Sequence, residues 1–585
     1  LYEATLGNYN WNSYDEVIDN LSFNWYLNDY WTVKGQFSVT KKYSKSEKFI
    51  DPLSSKTSVT GSKDNNLAGD LYTTNGESLD WNSNAFLYYT RSFNKQHNLN
   101  VSAGWEAASG TTESTNAHYR GFPSGEFHSL NYAAEVYKKP TRTENTTRRV
   151  SVLASANYTW NDIYLVDASV RFDGSSEFGA NQKWAPFFSG GLGVNIHNYD
   201  FFKSNGYINK LKLRASYGRT GKVNFPAYAA TTMYETLFDE WYITGYGAVL
   251  TWEKTDKLSV GIETKTFHDR LTVDFEYYYN KTIDLVNDVT LSQTSGFSTY
   301  KDNMGQVANK GVELKLRADI YRDRNWNVAL WGNMAHNKNE ILKISDSQKA
   351  YNERVAAYYK NEALYQETLG LSHGAEYSVP LPQYEEGASL TSIWAVRSLG
   401  IDPTTGKEIF LNRDGSIADK WNAAQEVVVG NTEPKCSGAF GLNLSYKNWT
   451  LFASFLYEWG GQEYNQTLVN NVENADLVNK NVDLRVLTDR WKKPGDIAQF
   501  KDIKDRGMTT LPTSRFVQDK ALVRLNSLNV SYDFNRDWIK KHLRMNLLRL
   551  EASTSDLINW SSIKQERGLS YPRSWKVEFS LKAQF

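Results

Sequence analysis

One cysteine, Cys436, is all that 585 residues contain. That excludes an internal disulfide framework and any cysteine-based metal cluster. The 8 histidines are scattered, with no close pair at ligand spacing. Net formal charge is zero, from 66 basic and 66 acidic residues. A nucleic-acid partner would normally demand a basic chain, so none is expected. Proline is scarce at 12 residues, and no run of about eighteen apolar residues occurs. A transmembrane helix is therefore excluded, but a strand-built membrane protein is not. A barrel exposes only every second strand residue to lipid, and its lumen and loops are polar, so a mean hydropathy of −0.58 is compatible with it. The opening "LYEATLGNYN" lacks the basic stretch and apolar core of a secretory signal.

What the chain does have is aromatic residues, 14% of the total, and period-2 alternation. In "LTVDFEYYYN", Leu271, Val273, Phe275, Tyr277 and Tyr279 share one face. In "GVELKLRADI", Val312, Leu314, Leu316, Ala318 and Ile320 oppose Glu313, Lys315, Arg317 and Asp319. "LKLRASYG", "VSVLASANY" and "LNVSAGWE" alternate in the same way. These segments run for about eight to eleven residues, the length of a tilted strand across a bilayer. Charges collect on one parity, as they must when Lys or Arg at the lipid midplane costs about 2–4 kcal/mol.

The links between segments alternate in length. Strands near 81–91 and 98–106 have a short link, as do 149–158 and 163–173, 258–264 and 271–279, 311–320 and 326–335, and 437–446 and 450–458. The connections between these pairs are long: 107–148, 219–257, 280–310, 336–436 and 459–519. Short periplasmic turns and long extracellular loops make this pattern, whereas a soluble sandwich has no reason to gather its long loops at one end. The expected fold is all-β, a large transmembrane antiparallel barrel with roughly seventeen visible strands. An odd count predicts missing strands, expected upstream of Leu1. Residues 1–585 are read as one barrel domain, incomplete at its N-terminus.

The order of several motifs carries a resemblance. "VRFDGSSEFG" is followed by "LKLRASYGRTG", "TWEKTDKLSVGIE", "NMGQVANKGVELKL" and "GIDPTTGKEIF". Then come "VGNTEPKCSGAFGLNLSYKNWTL", "DRWKKPGD", "VRLNSLNVSYDF" and the closing "YPRSWKVEFSLKAQF". From about residue 150 onward this set resembles the C-terminal barrel of SusC/RagA-type TonB-dependent outer-membrane transporters. The resemblance implies a barrel of roughly 22 strands and active import of a bulky nutrient, an oligosaccharide first and a peptide second. It implies a SusD-like lipoprotein lid, TonB acting through an N-terminal plug, no cofactor, and the outer membrane of a Gram-negative, Bacteroidetes-like bacterium. A dimer of transporter–lid pairs is one arrangement it allows. No plug, TonB box or signal peptide lies in these residues. "APFFSGGLGVNIH" and "STSDLINWSSIKQERGLS" depart from the family's usual wording. A passive porin and a soluble all-β glycan-binding protein are the competing readings.

No enzyme signature is present: there is no Gly-x-Ser-x-Gly elbow, and Glu385 and Glu386 are adjacent on one loop rather than opposed. Asp-Gly at 173–174 and at 414–415 reads as turns. Aromatic side chains in the long links are the candidate substrate contacts: Trp241, Tyr242, Tyr246, Trp394, Trp421, Trp459 and Tyr464. The alternative for each is a place in the interfacial aromatic girdle or in loop packing. Trp575, Val577, Phe579, Leu581 and Phe585 line one face of the last strand. They are expected to face lipid and to be read by the barrel-assembly machinery.

Overall fold

The computed structural model describes residues 2–584, apart from 59–66, 180–181, 204–206, 224, 226, 229, 231–232, 238–239, 246–249, 291–298, 347, 351, 354–378, 381–382, 479–481, 508–509, 535 and 565–575. Eight strands open the chain: β1 (Tyr9–Tyr26), β2 (Trp31–Ile50), β3 (Asp70–Phe93), β4 (His97–Arg120), β5 (Glu135–Trp160), β6 (Tyr164–Ser175), β7 (Trp184–Asn195) and β8 (Ile208–Lys222). A small hairpin follows, β9 (Met233–Leu237) and β10 (Glu240–Gly245). The next four are β11 (Glu253–Thr266), β12 (Leu271–Thr290), β13 (Thr299–Arg322) and β14 (Trp326–Ile344). A separate four-stranded sheet holds β15 (Ser392–Ile401), β16 (Glu408–Leu411), β17 (Ile417–Ala418) and β18 (Glu426–Asn431). The chain closes with β19 (Cys436–Tyr446), β20 (Trp449–Tyr464), β21 (Val517–Asp533), β22 (Leu547–Ser555), β23 (Asn559–Ser561) and β24 (Lys576–Gln584).

All strands outside the two small sheets form one antiparallel wall of 18, each beside its neighbour in the chain. β22 and β23 both pair with β21, so they act as one interrupted strand, and the wall is seventeen strands wide. Its register explains the alternation. Directly opposed residues share a face, and a slip by one residue would turn every side chain over. Across five neighbouring strands Leu213, Ile262, Phe275, Leu314 and Met334 stand in one row. The adjacent row, on the other face, is Lys212, Glu263, Asp274, Lys315 and Asn333. One face is apolar and exposed, as at Val260, Leu330 and Leu581. The other carries charges that neutralise one another laterally. A sheet in water would bury the first face and expose the second. This wall does the reverse, which suits lipid outside and water inside.

Short turns gather at one end of the wall. They include 94–96, 161–163, 267–270 and 447–448, with positive φ at Asn94, Lys95, Asn161, Asp162, Phe267, His268 and Lys447. Left-handed backbone there matches the tight turns that preserve strand twist. Rings cluster beside these turns, with Trp160 stacked on Tyr164, Trp326 against Tyr446 and Trp449 against Tyr532. Two connections at this end are longer, and each holds a helix, Asp200–Lys203 in one and Arg536–Leu543 in the other.

The strands exceed the expected length. β5 has 26 residues and β3 and β4 have 24 each, while a bilayer needs only about nine to eleven. Much of the predicted long links 107–148 and 280–310 is therefore strand, from β4, β5, β12 and β13. Above the apolar band both faces are wet, so the ladder continues after the alternation has faded. Glu77, Glu113 and Glu144 stand there in direct register, an arrangement that Lys41 and Arg142 offset by pairing with Glu77 and Glu113. Asp173, predicted in a turn, lies at the end of β6 and is held by Arg171. Asp414 does make the turn, accepting from the Ser416 amide at 2.9 Å.

Candidate functional site

The charged face of the wall is built from residues that alternate with the apolar ones. On β8, Arg214 reaches Asp274 at 2.9 Å and Glu276 at 2.6 Å, both on β12. On β6, Arg171 holds Glu106 at 2.8 Å, Asp173 at 2.5 Å and the Ser151 hydroxyl at 2.8 Å. Beside Arg171 a recess of about 540 Å³ opens, lined by Asn84, Glu106, Arg149, Ser151 and Asp173 among others. A second, of about 520 Å³, lies between Ser259, Glu276, Tyr278, Asn309 and Asn337. Both present amide, hydroxyl, carboxylate and guanidinium groups together. Such a surface exchanges hydrogen bonds with a polar solute as readily as with water. Among the described residues no group of three His, Cys, Asp or Glu side chains could hold a metal ion.

At the long-loop end, the connections 345–435 and 465–516 are fastened to each other. The Val396 amide donates to the Pro512 carbonyl at 3.2 Å, and Ser398 N to the Ser514 hydroxyl at 2.9 Å. The Trp421 and Trp491 indoles donate at 2.9 Å to the carbonyls of Pro512 and Pro403. Beneath them lies an apolar cluster of Leu468, Val469, Val472, Ala475, Val486, Phe500 and Phe516. At its edge Arg515 bridges two carboxylates, Glu408 at 3.0 Å and Glu473 at 2.7 Å. Glu473 is wholly buried. Burial works against the charge of Arg515, but Glu408 and Glu473 outweigh it and hold the guanidinium above its ordinary range. Burial also pushes the nearby Lys501 ammonium down, against the attraction of Glu473. Arg490 donates to the carbonyls of Val486, Lys501, Val472 and Glu473, so backbone oxygens that the short helical turns leave open find a partner.

Glu426, on β18 in this loop unit, is buried and makes no ion pair among the described residues. Its carboxylate accepts from Gln383, while Arg413 bonds its backbone carbonyl instead. Burial pushes its carboxyl up from 4.5 to about 7, with Gln383 and Arg413 acting in the other direction. The folded form thus holds the proton more tightly than the unfolded chain. That stabilisation is full below about pH 4.5 and is lost as the pH rises through about 7. Hydrogen exchange of 383–431 at pH 5 and pH 8 should show weaker protection at pH 8. In Glu426→Gln the difference should disappear, and an unchanged difference would exclude Glu426 as its source.

The structure separates the predicted aromatic contacts. Trp394 is 3% exposed, inside the loop sheet. Trp421 is half-buried against the second loop, and Tyr464 packs on Phe516 at 5.9 Å between ring centres. These three are brought together as packing of the loop unit, not as open faces for a solute. Trp459 is 69% exposed and shares a face with the outward Phe440 and Trp449, at the rim of the apolar band. Trp241 and Tyr242 belong to β10, where the backbone alone is described, and Tyr246 lies outside the described residues. On β24, Val577, Phe579 and Leu581 are exposed and pair with Thr554, Ala552 and Leu550. Trp575 and Phe585 lie outside the described residues. Glu386 is engaged by Lys349 at 3.0 Å and by the Ile344 amide, with no opposed carboxylate partner among the described residues. Sequence reading passed over Arg171 and Arg214. Their signal was present as single charges on the polar parity of strongly alternating strands.

A family model described as TonB dependent receptor-like, beta-barrel matches residues 2–547. TonB-dependent receptor P3 of Formosa agariphila is 28% identical over 499 residues, 82% of this chain and 48% of that protein. TonB-dependent receptor SusC of Bacteroides thetaiotaomicron is 29% identical over 252 residues, 40% of this chain and 25% of that one. A solved structure of the RagAB peptide transporter superimposes with a TM-score of 0.81 at 21% identity, covering 98% of this chain and 62% of that chain. The chain spans about half the length of the curated P3 and P39 relatives it matches. With the two-faced wall and the match over nearly its whole length, this chain belongs to the TonB-dependent receptor-like β-barrel family.

Proposed function

We propose that this chain forms the wall of an outer-membrane importer for a bulky polar nutrient, an oligosaccharide first and a peptide second. The carrying observation is the division of the wall: an apolar band outside, and inside a face of laterally paired charges with polar recesses. Paired charges cancel the field that would trap an ion, yet leave hydroxyl, amide and carboxylate groups for a neutral polar solute. The long-loop end then faces the exterior, and the fastened loops form a firm mouth there. A SusD-like lipoprotein would close over that mouth, and TonB would supply energy through a plug. β1 and β24 run in the same direction, each paired on one side among the described residues. The exposed apolar residues of β24 suit recognition by the assembly machinery.

Whole cells carrying the protein should accumulate a labelled oligosaccharide above its external concentration, and deletion of TonB should abolish that accumulation. Uptake that persists at the same level without TonB, and only equilibrates, would instead establish a passive pore. Recovery of the protein in the aqueous phase without detergent would exclude the membrane reading altogether.

A further inference from the structure

On the outer face, just above the apolar band, the wall carries a group of cations that outnumber the acids beside them. The register defines it row by row. Leu213, Ile262, Phe275, Leu314 and Met334 make one row. The next row on that face is Ala215, Val260, Tyr277, Val312 and His336. Above it come Tyr217, Leu258, Tyr279, Lys310 and Lys338, and above those Arg219, Asp256, Lys281, Ala308 and Glu340. The tyrosines mark the upper edge of the band. Tyr279 stands eight residues from the turn-proximal Leu271, about 26 Å of strand or roughly 20 Å of height at a tilt of about 40°, most of an apolar band about 25 Å tall.

Lys310 and Lys338 are therefore direct cross-strand neighbours, and Lys281 is diagonal to Lys310. Like charges directly opposite destabilise a sheet unless something lies between them. The local acids offset this only in part, with Asp256 standing directly between Arg219 and Lys281. Asp256 is taken by Arg219 at 2.6 Å, and Glu340 reaches Lys338 only at 3.5 Å. Neither Lys281 nor Lys310 makes an ion pair among the described residues. The acidic row on β3–β5 is different, since Lys41 and Arg142 offset its glutamates. Beside Lys338 the wall also steps. β19 begins at Cys436 while β14 runs on to Ile344, leaving a recess of about 590 Å³. It is lined by His336, Lys338, Lys435 and Trp459, with Glu433 and Asp519. Glu433 accepts from Asn337 and Asn339 and Asp519 from Gln462, and three lysines, Lys338, Lys435 and Lys520, stand against these two acids.

We infer that Lys281, Lys310 and Lys338, with the adjoining recess, form a site for a phosphorylated lipid of the outer leaflet. The phosphate would sit between the two opposed lysines, which relieves their repulsion. Its acyl chains would lie against Tyr277 and Phe275, below Lys281 on β12, and Leu316, below Lys310 on β13, all of them exposed. Long lysine stems reach upward from an apolar surface to a headgroup without losing hydration of the charge. Charge complementarity and height in the membrane select this occupant over a soluble anion, which has no use for the apolar column. The inference rests on the outer-membrane reading above.

The test uses the purified protein in detergent. The probe is a radiolabelled bis-phosphorylated glycolipid, with its dephosphorylated form and inorganic phosphate as parallel arms. The variants are K281Q/K310Q/K338Q and, as a control, Lys257→Gln, whose lysine stands on the opposite face of the same strands. The triple variant should retain on the order of tenfold to a hundredfold less phosphorylated lipid than the unaltered protein. Lys257→Gln should retain it fully, and the dephosphorylated lipid should be lost by all forms. Equal retention by the triple variant, or equal binding of the dephosphorylated lipid, would overturn the inference. So would displacement of the lipid by low concentrations of inorganic phosphate, which would reassign the site to a soluble anion. Insertion into bilayers, read by heat-modifiable migration, separates the two readings. A protein that fails to insert contradicts the membrane function, whereas one that inserts without the lipid preference contradicts only the site.

Discussion

Replacing Arg515 with methionine should unfasten the two long loops and leave the wall standing. Arg515 is buried between Glu408 and Glu473, residues 107 and 42 positions away in the chain. Removing the guanidinium strands two carboxylates beside an apolar cluster, one of them wholly buried. Breaking a buried ion pair from one side costs about 3–5 kcal/mol, because the remaining charge is uncompensated. That exceeds the stability expected of a loop unit, so 465–516 should lose hydrogen-exchange protection and be cut by trypsin. The wall strands carry none of these contacts, and heat-modifiable migration should be unchanged. Adding Glu408→Gln and Glu473→Gln to Arg515→Met should restore part of the protection, since no bare charge is then left. Full protease resistance in Arg515→Met alone would show that the apolar cluster and backbone bonds suffice.

The second large effect is expected at Val260, inside the apolar band on β11, one row below its upper edge. Its neighbours in register are Ala215 and Tyr277, and it is 47% exposed. In Val260→Arg the charge faces hydrocarbon between midplane and edge, at a cost of about 2 kcal/mol, from about 2–4 at the midplane and about 0–1 at the interface. Ser259 is the adjacent residue on the other face, where its hydroxyl lies 2.9 Å from that of Ser216. Ser259→Arg places the same side chain among Glu276, Asn280 and Glu313 around one polar recess. Urea titration of the two variants in vesicles should therefore show a large loss of folded protein for Val260→Arg and little for Ser259→Arg. Equal losses would mean that the faces have been assigned wrongly.

How far the chain could be read without coordinates follows from these same residues. Alternation at 271–279 and 311–320 identified membrane-crossing strands, because lipid penalises a charge on one parity wherever the strand is in the bilayer. It stopped being informative where β4, β5, β12 and β13 leave the membrane, and there strand was taken for loop. The surroundings of the aromatic candidates are hidden from the sequence for a related reason. Trp394, Trp421 and Tyr464 are attractive as sugar platforms only while their surroundings are unknown. Their burial comes from segments about 50 to 120 residues away, brought close by the wall.

Period-2 chemistry is local, so the sequence by itself determined the two-faced strands, their order and the alternation of short turns with long loops. The tertiary structure alone decided which charges meet. Arg515 finds Glu408 and Glu473 because two loops emerge side by side from the same rim. Lys310 faces Lys338 because β13 and β14 pair in one register and no other. A shift by one residue would have placed one lysine in lipid and the other in the lumen, and neither the repulsion between them nor the site it makes would exist.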